Sequence, residues 1–347
     1  ICFFMDKLVL EITHTKNETE DTRSFYFTTK EPFSYQAGQF ITLLLSSETG
    51  NELRRCYSLG SSPCLNEAPF FTVKRIENGE ASRFLFEKIQ QGNTLLSLPS
   101  SGKFVLEQPL ASVYFFIAAG SGIIPVFSLI KELLYCYPFT QIILIYQCTH
   151  EKNIIYEASL KQLAQRFSER FQWHQYFSRP LSKSIQFIHF NNKMLMQQVQ
   201  TLLAEKTSVQ FYICGPLQFM RMAEFTLKTV GFASAQIHKE HFVVSLQQPK
   251  TAMLPYGVFQ NVLLHFQNKT YRFQVAYPKT ILQAALEQGI DLPYSCKGGV
   301  CSTCMAKCIK GKVLMLNNEA LTEKDLEKGW VLTCVGYAAS DVELLFQ

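Results

Sequence analysis

The stretch Pro293-Tyr294-Ser295-Cys296-Lys297-Gly298-Gly299-Val300-Cys301-Ser302-Thr303-Cys304 spaces three cysteines as C-x4-C-x2-C, and Cys334 follows thirty residues later within Val331-Leu332-Thr333-Cys334. This is the plant-type [2Fe–2S] spacing. Two irons bridged by sulfides ask for four thiolates, and here a single wrapped loop supplies three while a distant strand supplies the last. The small residues Gly298, Gly299 and Ser302 let backbone N–H groups turn toward sulfur, and glycine tolerates the φ values such a wrap needs. A zinc knuckle or a disulfide pair is the alternative. Zinc sites pair short spacers, C-x2-C with C-x2-C or with His, and this spacing fits them badly. Cys296, Cys301, Cys304 and Cys334 are therefore the expected metal ligands.

Around this loop, residues 257–347 read mostly as strands: Val262–Phe266, Tyr271–Val275, Lys312–Leu316, Gly329–Cys334 and Asp341–Phe346. A helix from Thr280 to Gln288 carries Ile281, Leu282, Ala285 and Leu286 on one face. The region holds nine Lys/Arg and eight Asp/Glu, a net of +1. A free carrier that finds its reductase by charge is expected to be strongly one-signed. A tethered one relies on effective concentration instead. Residues 247–256, with Pro249 and Pro255 and little charge, read as the tether. Stretched out, ten residues reach roughly 30 Å.

Upstream, residues 109–246 alternate apolar runs with helical patterns. Val113–Ala119, Ile142–Tyr146, Phe171–Phe177 and Val209–Cys214 read as buried strands, with helical spacing after Pro125, over Ser159–Phe167 and after Pro216. That alternation predicts an α/β domain with a parallel sheet. Residues 1–108 carry short strands at Leu8–Ile12, Ser24–Thr28, Phe40–Leu45, Tyr57–Leu59 and Phe70–Ile76. They predict a small antiparallel β-barrel. One helix interrupts them from Ser82 to Gln90, with Ser82 as its N-cap.

The chain has 347 residues, 47% hydrophobic and 18% charged, which is ordinary globular composition for two or three domains. A net charge of +5 is too small and dispersed to argue for nucleic acid. From Pro109 to Ile130 no charged residue occurs, long enough to span a bilayer. Gly120, Gly122 and Pro125 in its centre fit a strand, a turn and a helix start better, so no membrane span is expected. No secretory signal is read at the start, where Met5 is a candidate first residue. The seven cysteines outside the metal set (Cys2, Cys56, Cys64, Cys136, Cys148, Cys214 and Cys308) are expected to be free thiols in a reducing, cytoplasmic setting.

Further sites are ambiguous one by one. Gly120-x-Gly122-x-x-Pro125 follows a buried strand and opens a helix, where backbone N–H groups and the helix dipole favour a phosphate; a plain βα turn has the same signature. Cys214-Gly215-Pro216 ends a later strand, on the side where open α/β sheets bind ligands; for Cys214 alone a buried core thiol is the commoner explanation. Arg55-Cys56-Tyr57-Ser58 offers a guanidinium, a ring and a hydroxyl, or a solvated strand edge. Gly79-Glu80-Ala81-Ser82 is a phosphate nest or an ordinary cap.

Taken together, these sites resemble the ferredoxin–NADP⁺ reductase-like flavoproteins fused to a C-terminal plant-type ferredoxin, the domain order of reductase components of multicomponent oxygenases. The resemblance covers nearly the whole chain. It implies a β-barrel for FAD, an α/β domain for NAD(P)H and a β-grasp [2Fe–2S] domain, divided at 1–108, 109–246, a linker 247–256, and 257–347. Arg55, Tyr57 and Ser58 match its R-x-Y-S flavin pattern; Val73, Lys74 and Arg75 match the strand along the flavin; Gly79 and Ser82 match the G-x-x-S pyrophosphate turn, which favours FAD over FMN. Gly120, Gly122 and Pro125 with Cys214, Gly215 and Pro216 match the nicotinamide-binding loops, Ser178 and Arg179 the adenosine end, and Glu240 and Phe242 the E-x-F closing the domain near the flavin. Cys214 and Glu240 are the implied catalytic residues.

Three positions depart from the pattern. Ile124 stands where a Thr or Ser is usual, Gln147-Cys148 where Asn-Arg is frequent, and Lys297 where many relatives carry Arg. The choice between NADH and NADPH is left open by the second. The resemblance implies electron flow from NAD(P)H through FAD and the cluster to a partner protein, an oxygenase such as a phenylacetyl-CoA epoxidase; the oligomeric state is left open, with a monomer as the default. A small-molecule or metal acceptor is the competing enzyme reading, and a non-enzymatic carrier or redox sensor the competing class.

Overall fold

The computed structural model describes residues 7–46, 50, 52–108, 111–185, 187–202, 208–242 and 254–346. The expected tether lies mostly outside the described residues, as do Cys2 and Met5. The chain forms two compact units, one over residues 8–100 and 104–241, the other mainly over the C-terminal residues from 242 onward.

The first unit holds two sheets. Strands β1 (Leu8–Thr19), β2 (Thr22–Thr29), β3 (Phe40–Ser46), β4 (Glu52–Ser58), β5 (Phe70–Lys74) and β6 (Thr94–Ser101) join in the order β4-β3-β6-β1-β2-β5, with helix α1 (Glu80–Lys88) between β5 and β6. The pairs β1–β2, β1–β6, β2–β5 and β3–β4 are all antiparallel, and a bridge between Leu59 and Phe71 brings the two ends of the order together. A sheet closed this way has no open edge. Leu10, Ile12, Phe25, Phe27, Ile41, Leu43 and Phe71 fill the barrel, with Leu85 of α1 packed beneath them.

The second sheet is parallel, ordered β11-β10-β7-β8-β9. Its elements run β7 (Val113–Ala119), α2 (Ile123–Cys136), β8 (Gln141–Cys148), α3 (Glu157–Arg166), β9 (Phe171–Phe177), α4 (Asn192–Leu202), β10 (Val209–Cys214), α5 (Leu217–Val230) and β11 (Ile237–Glu240). Side chains alternate across it: Tyr114, Phe116 and Ala118 face α2 and α3, whereas Phe115 and Ile117 face α4 and α5. The uncharged stretch from 109 onward is thus β7 and the start of α2, and no described helix is long and apolar enough to cross a membrane.

One apolar cluster runs from the parallel sheet into the barrel through Ala37, Phe70 and Phe104, and polar contacts line the same seam. Ser128 Oγ donates to Ser61 O at 2.5 Å and accepts from Gly38 N at 3.3 Å. Tyr156 Oη and Thr72 Oγ1 lie 2.6 Å apart. The buried Lys131 pairs with Glu67 and sits 4.7 Å from the centre of the Phe127 ring. Burial pulls the Lys131 pKa down and Glu67 opposes the shift.

A disulfide joins Cys64, before the seam, to Cys136 at the end of α2. This corrects the expectation of seven free thiols; Cys56, Cys148, Cys214 and Cys308 are in no disulfide, as expected. Nothing in the sequence pairs two cysteines 72 residues apart; the docking of α2 against the 61–67 segment does. Closing a loop of that length removes roughly 4 kcal/mol of unfolded-chain entropy in the simple chain model. Urea unfolding with and without dithiothreitol is expected to show a lower midpoint on reduction, and the Cys64→Ser/Cys136→Ser variant a low midpoint in both. Coincident curves would show that the bridge does not hold the seam.

The C-terminal unit contains β12 (Phe259–Phe266), β13 (Lys269–Ala276), α6 (Ile281–Glu287), β14 (Met305–Lys310), β15 (Val313–Met315), α7 (Glu323–Glu327), β16 (Trp330–Leu332), β17 (Gly336–Ala338) and β18 (Val342–Leu345). The sheet order is β13-β12-β18-β14-β16, with β12 and β18 parallel and the other pairs antiparallel. Helix α6 lies across it, burying Ile281, Leu282 and Ala285 against Val262, Leu264 and Leu344. This is the expected β-grasp arrangement. Thr280 caps α6 through Gln283, a reciprocal pair of hydrogen bonds at 3.0 and 3.2 Å.

One sequence expectation shifts. Helix α1 begins at Glu80 with Gly79 as its N-cap, so Ser82 lies in the first turn and not at the cap. Its hydroxyl accepts from Ile76 N and donates to Gly79 O, both at 3.1 Å. Strand β6, with Pro99 inside it, and the short β11, β14 and β17 carry weak periodicity and become strands through pairing.

Candidate functional site

The carboxyl end of the parallel sheet builds the first site. In register, Ala118 of β7, Cys214 of β10 and Glu240 of β11 stand side by side. The turn after β7 is a short 3₁₀ turn, Gly120–Gly122, leading straight into α2, with Gly120 at φ +55°. A Cβ on Gly122 would stand 2.1 Å from Cys214 O. Only glycine lets these two loops touch, and that contact brings the Gly120-x-Gly122 turn and Cys214-Gly215-Pro216 together. Pro125 and Ile124 are buried in the first turn of α2. Tyr146, which sequence reasoning passed over as one more apolar residue of β8, donates to Gly120 O at 3.1 Å and accepts from Ile155 N at 3.3 Å. It positions the turn from below. Gly122→Ala is expected to raise the KM for the dinucleotide about tenfold or more, since a methyl forced against backbone displaces one loop; an unchanged KM would show that the approach does not matter.

The barrel reaches this point through β4. Ser58 Oγ donates to Glu240 Oε2 at 3.2 Å. The carboxyl is enclosed, and burial pushes its pKa up to about 8, against the lowering effect of the Ser58 hydrogen bond; the nearby Cys56 adds to the rise. The thiol of Cys214 is fully buried and pushed well above its usual range, first by burial and then by Glu240. Both shifts favour the neutral form of the group. Along β4, Tyr57 packs on Phe71 with ring centres 5.7 Å apart, while Arg55 is exposed and gives one N–H to Arg54 O at 2.8 Å.

The next strand is engaged differently. Val73 is buried in the barrel core, Lys74 Nζ stands 3.3 Å from Asp21, and Arg75 lies over the Phe86 ring at 5.1 Å. These side chains are occupied elsewhere, which leaves the backbone of this strand as what it can offer a ring. Gly79 is dictated by sterics: a Cβ there would meet Ser82 Oγ at 2.6 Å. No side chain caps the N-terminus of the nine-residue α1, and a helix start of this kind suits a phosphate.

Ser178 and Arg179 follow β9, and their N–H groups bond to Cys148 O and Thr149 O at 3.0 and 2.7 Å. Glu151 holds the following turn by accepting from Leu181 N and Ser182 N, each at 2.9 Å, which keeps its carboxyl below the usual range. Gln147 accepts from Phe190 N at 3.1 Å; its amide supports a loop. Phe242 is exposed, next to a segment outside the described residues.

In the C-terminal unit the four predicted cysteines converge. The thiols meet in pairs, Cys296 with Cys301 and Cys304 with Cys334, and Cys296 also reaches Cys334. The four thiols form one run of contacts, Cys301–Cys296–Cys334–Cys304, and supply the donor number that a two-iron cluster needs. Gly298 N donates to Cys296 Sγ at 3.4 Å. Lys297, Gly299 and Ser302 all take positive φ, 55°, 77° and 55°, which wraps the loop around one centre. Thr333 ties the ends together, giving both its N–H and its hydroxyl to Cys304 O at 3.1 and 3.0 Å. The donor set and the wrap fit a [2Fe–2S] cluster.

Comparison with known proteins gives a consistent picture. Residues 9–105 match an oxidoreductase FAD-binding domain, 116–224 an oxidoreductase NAD-binding domain, and 264–339 a 2Fe-2S iron-sulfur cluster binding domain. The chain is 34% identical to a subunit of 1,2-phenylacetyl-CoA epoxidase from Escherichia coli K12, over 94% of this chain and 93% of the relative. It is 31% identical to the ferredoxin reductase component of 3-ketosteroid-9-alpha-monooxygenase from Rhodococcus rhodochrous, over 96% and 95%. Its fold is similar to that of phthalate dioxygenase reductase, with a TM-score of 0.61 at 20% identity over 98% of this chain and 97% of that one.

Proposed function

The chain belongs to the family of oxygenase reductase components that join FAD-binding, NAD-binding and 2Fe-2S domains, and on that footing we propose that its electrons leave to an oxygenase, of the kind that epoxidises phenylacetyl-CoA. The protein is an oxidoreductase drawing electrons from NAD(P)H. The finer partner assignment is supported by the 34% identity to the epoxidase subunit. Domain limits of 1–108, 109–246 and 257–347, a monomeric chain and a cytoplasmic place belong to the same proposal.

The bound groups supply the redox chemistry: a nicotinamide gives a hydride, a cluster takes one electron, and a flavin can do both. The observation that carries the reading is the meeting of Ser58, Cys214 and Glu240 where barrel and parallel sheet join. In our reading, Arg55, Tyr57 and Ser58 with the backbone of Val73–Arg75 hold the flavin, and Gly79–Ser82 holds its pyrophosphate. The Gly120–Pro125 and Cys214–Pro216 loops seat the nicotinamide, and Ser178 and Arg179 the adenosine end. Cys214, buried, and Glu240, partly buried with its pKa raised, bring little charge to the reacting faces and help exclude water from them. Cys296, Cys301, Cys304 and Cys334 hold the cluster.

An anaerobic titration with NADH, and separately NADPH, followed in the visible spectrum, tests the relay. Bleaching of both flavin and cluster bands is expected, and the more effective nucleotide is the physiological one. Bleaching of the flavin alone would disconnect the cluster. Adding the purified oxygenase subunits of a phenylacetyl-CoA epoxidase is expected to yield epoxide at the expense of NAD(P)H; no turnover would leave the family assignment and remove the partner.

A further inference from the structure

The cluster loop does not hold itself. Lys297 and Ser302 are side-chain-bearing residues in the left-handed region, which L side chains disfavour, and the buried Gly298 and Gly299 carry carbonyls that need partners. Both partners come from one segment that no ligand spacing points to. Asn317 Nδ2 donates to Gly298 O at 2.7 Å, and Glu319 N donates to Gly299 O at 3.0 Å. Asn317 O itself stands 2.6 Å from where a Cβ on Gly299 would be, so the segment is seated directly on the glycine pair.

The same segment reaches the fourth cysteine. Leu316 N donates to Val335 O at 3.3 Å, next to Cys334, and Leu332 N approaches Met315 Sδ at 3.2 Å. Met315 to Glu319 therefore strap the loop of three cysteines to the strand end that brings the fourth. Within the strap, the Asn317 side chain makes the tie to the Gly298 carbonyl. Asn318 turns the other way, closing its own turn with Leu321 at 2.8 and 3.0 Å.

We propose that Asn317 is a positioning residue for the iron–sulfur centre: its amide fixes the Gly298–Gly299 peptide and so presents Cys296 and Cys301 in register with Cys304 and Cys334. An amide suits this place, because it donates to a buried carbonyl without bringing a charge. Aspartate, of the same size, has no N–H to give and would set an anionic oxygen against Gly298 O. The inference rests on the cluster assignment, and its test separates the two.

The test uses the full-length holoprotein and reads the cluster, not turnover. Asn317→Asp and Asn317→Ala are compared with wild type and with Asn318→Ala for iron and sulfide per chain, visible circular dichroism, and the rate of bleaching by EDTA. Flavin content and NAD(P)H-dependent dye reduction report on the other unit. The expected result is bleaching at least tenfold faster and an altered visible dichroism in both Asn317 variants, with flavin content and dye reduction within twofold of wild type and Asn318→Ala unchanged. Bleaching and dichroism within twofold of wild type in either folded Asn317 variant would overturn the role while leaving the cluster in place. Equal losses in Asn318→Ala would also overturn it, since the effect would then be general to the strap. A wild-type chain without iron would remove the cluster assignment and the proposal together.

Discussion

Cys334→Ser is expected to abolish the visible spectrum of the cluster and to cut NAD(P)H-driven reduction of a one-electron protein acceptor by about a hundredfold or more, with dye reduction at the flavin within about twofold. The reason is positional. Cys334 is buried, lies thirty residues from the nearest other ligand, and is fixed by the two Thr333 bonds to Cys304 O. No other described cysteine shares its pairing with Cys304; Cys308 points its thiol at the Lys310 and Gly311 carbonyls. Serine is too short and too weak a ligand to keep the second iron. Because the two units are separately compact, the flavin half keeps its own activity. Undiminished acceptor reduction in an iron-free variant would take the cluster off the electron route.

Glu240 gives the second large effect. Glu240→Ala is expected to lower the rate of flavin reduction by NAD(P)H about a hundredfold, while Glu240→Gln, permanently neutral and able to keep the Ser58 contact, stays within about tenfold. The wild-type rate should be flat below the folded pKa and fall as pH rises through about 8, the value to which burial raises this carboxyl. That limb should vanish in Glu240→Gln. Ser58→Ala should move it upward, because the Ser58 hydrogen bond is what holds the pKa down. The stability consequence has a definite sign. The folded protein keeps a proton that the unfolded chain releases near 4.5, so the stabilising contribution is complete below that pH, is lost as pH rises toward 8, and is constant beyond it. A rate limb that survives in Glu240→Gln would assign it to another group.

Much of this was legible in the chain because spacing is local. The C-x4-C-x2-C loop is contained in one short contiguous stretch, and the apolar runs of β7, β8 and β10 announce a buried parallel sheet whatever surrounds them. The Thr280 cap of α6 and the Gly120–Pro125 turn are equally local. The contacts that join distant segments were not legible. Ser58 meets Glu240 across 182 residues, Cys64 meets Cys136 across 72, and Tyr146 Oη meets Gly120 O across the width of a βα unit. None of these residues differs in type from its neighbours in a way that marks its partner.

Site residues divide along the same line. Arg55 and Tyr57 lie where a strand of alternating sides sets them, and Cys214 stands at the strand end that its glycine foretold. Lys74 and Arg75 fit a pattern by sequence, but Asp21 and Phe86 have claimed their side chains. Asn317 fits no ligand spacing and yet seats the cluster loop.

Residue order alone specified the chemistry this protein can hold: four thiolates in a two-iron spacing, glycine turns at strand ends, and three successive folding patterns in a fixed order. Folding then settled which groups face one another where barrel and parallel sheet join, how the carboxyl of Glu240 comes to have its pKa raised, and what straps the cluster loop in place. Ligand spacing and hydrophobic period are properties of contiguous chain, whereas desolvation and long-range hydrogen bonds exist only once separate segments have excluded water from between them.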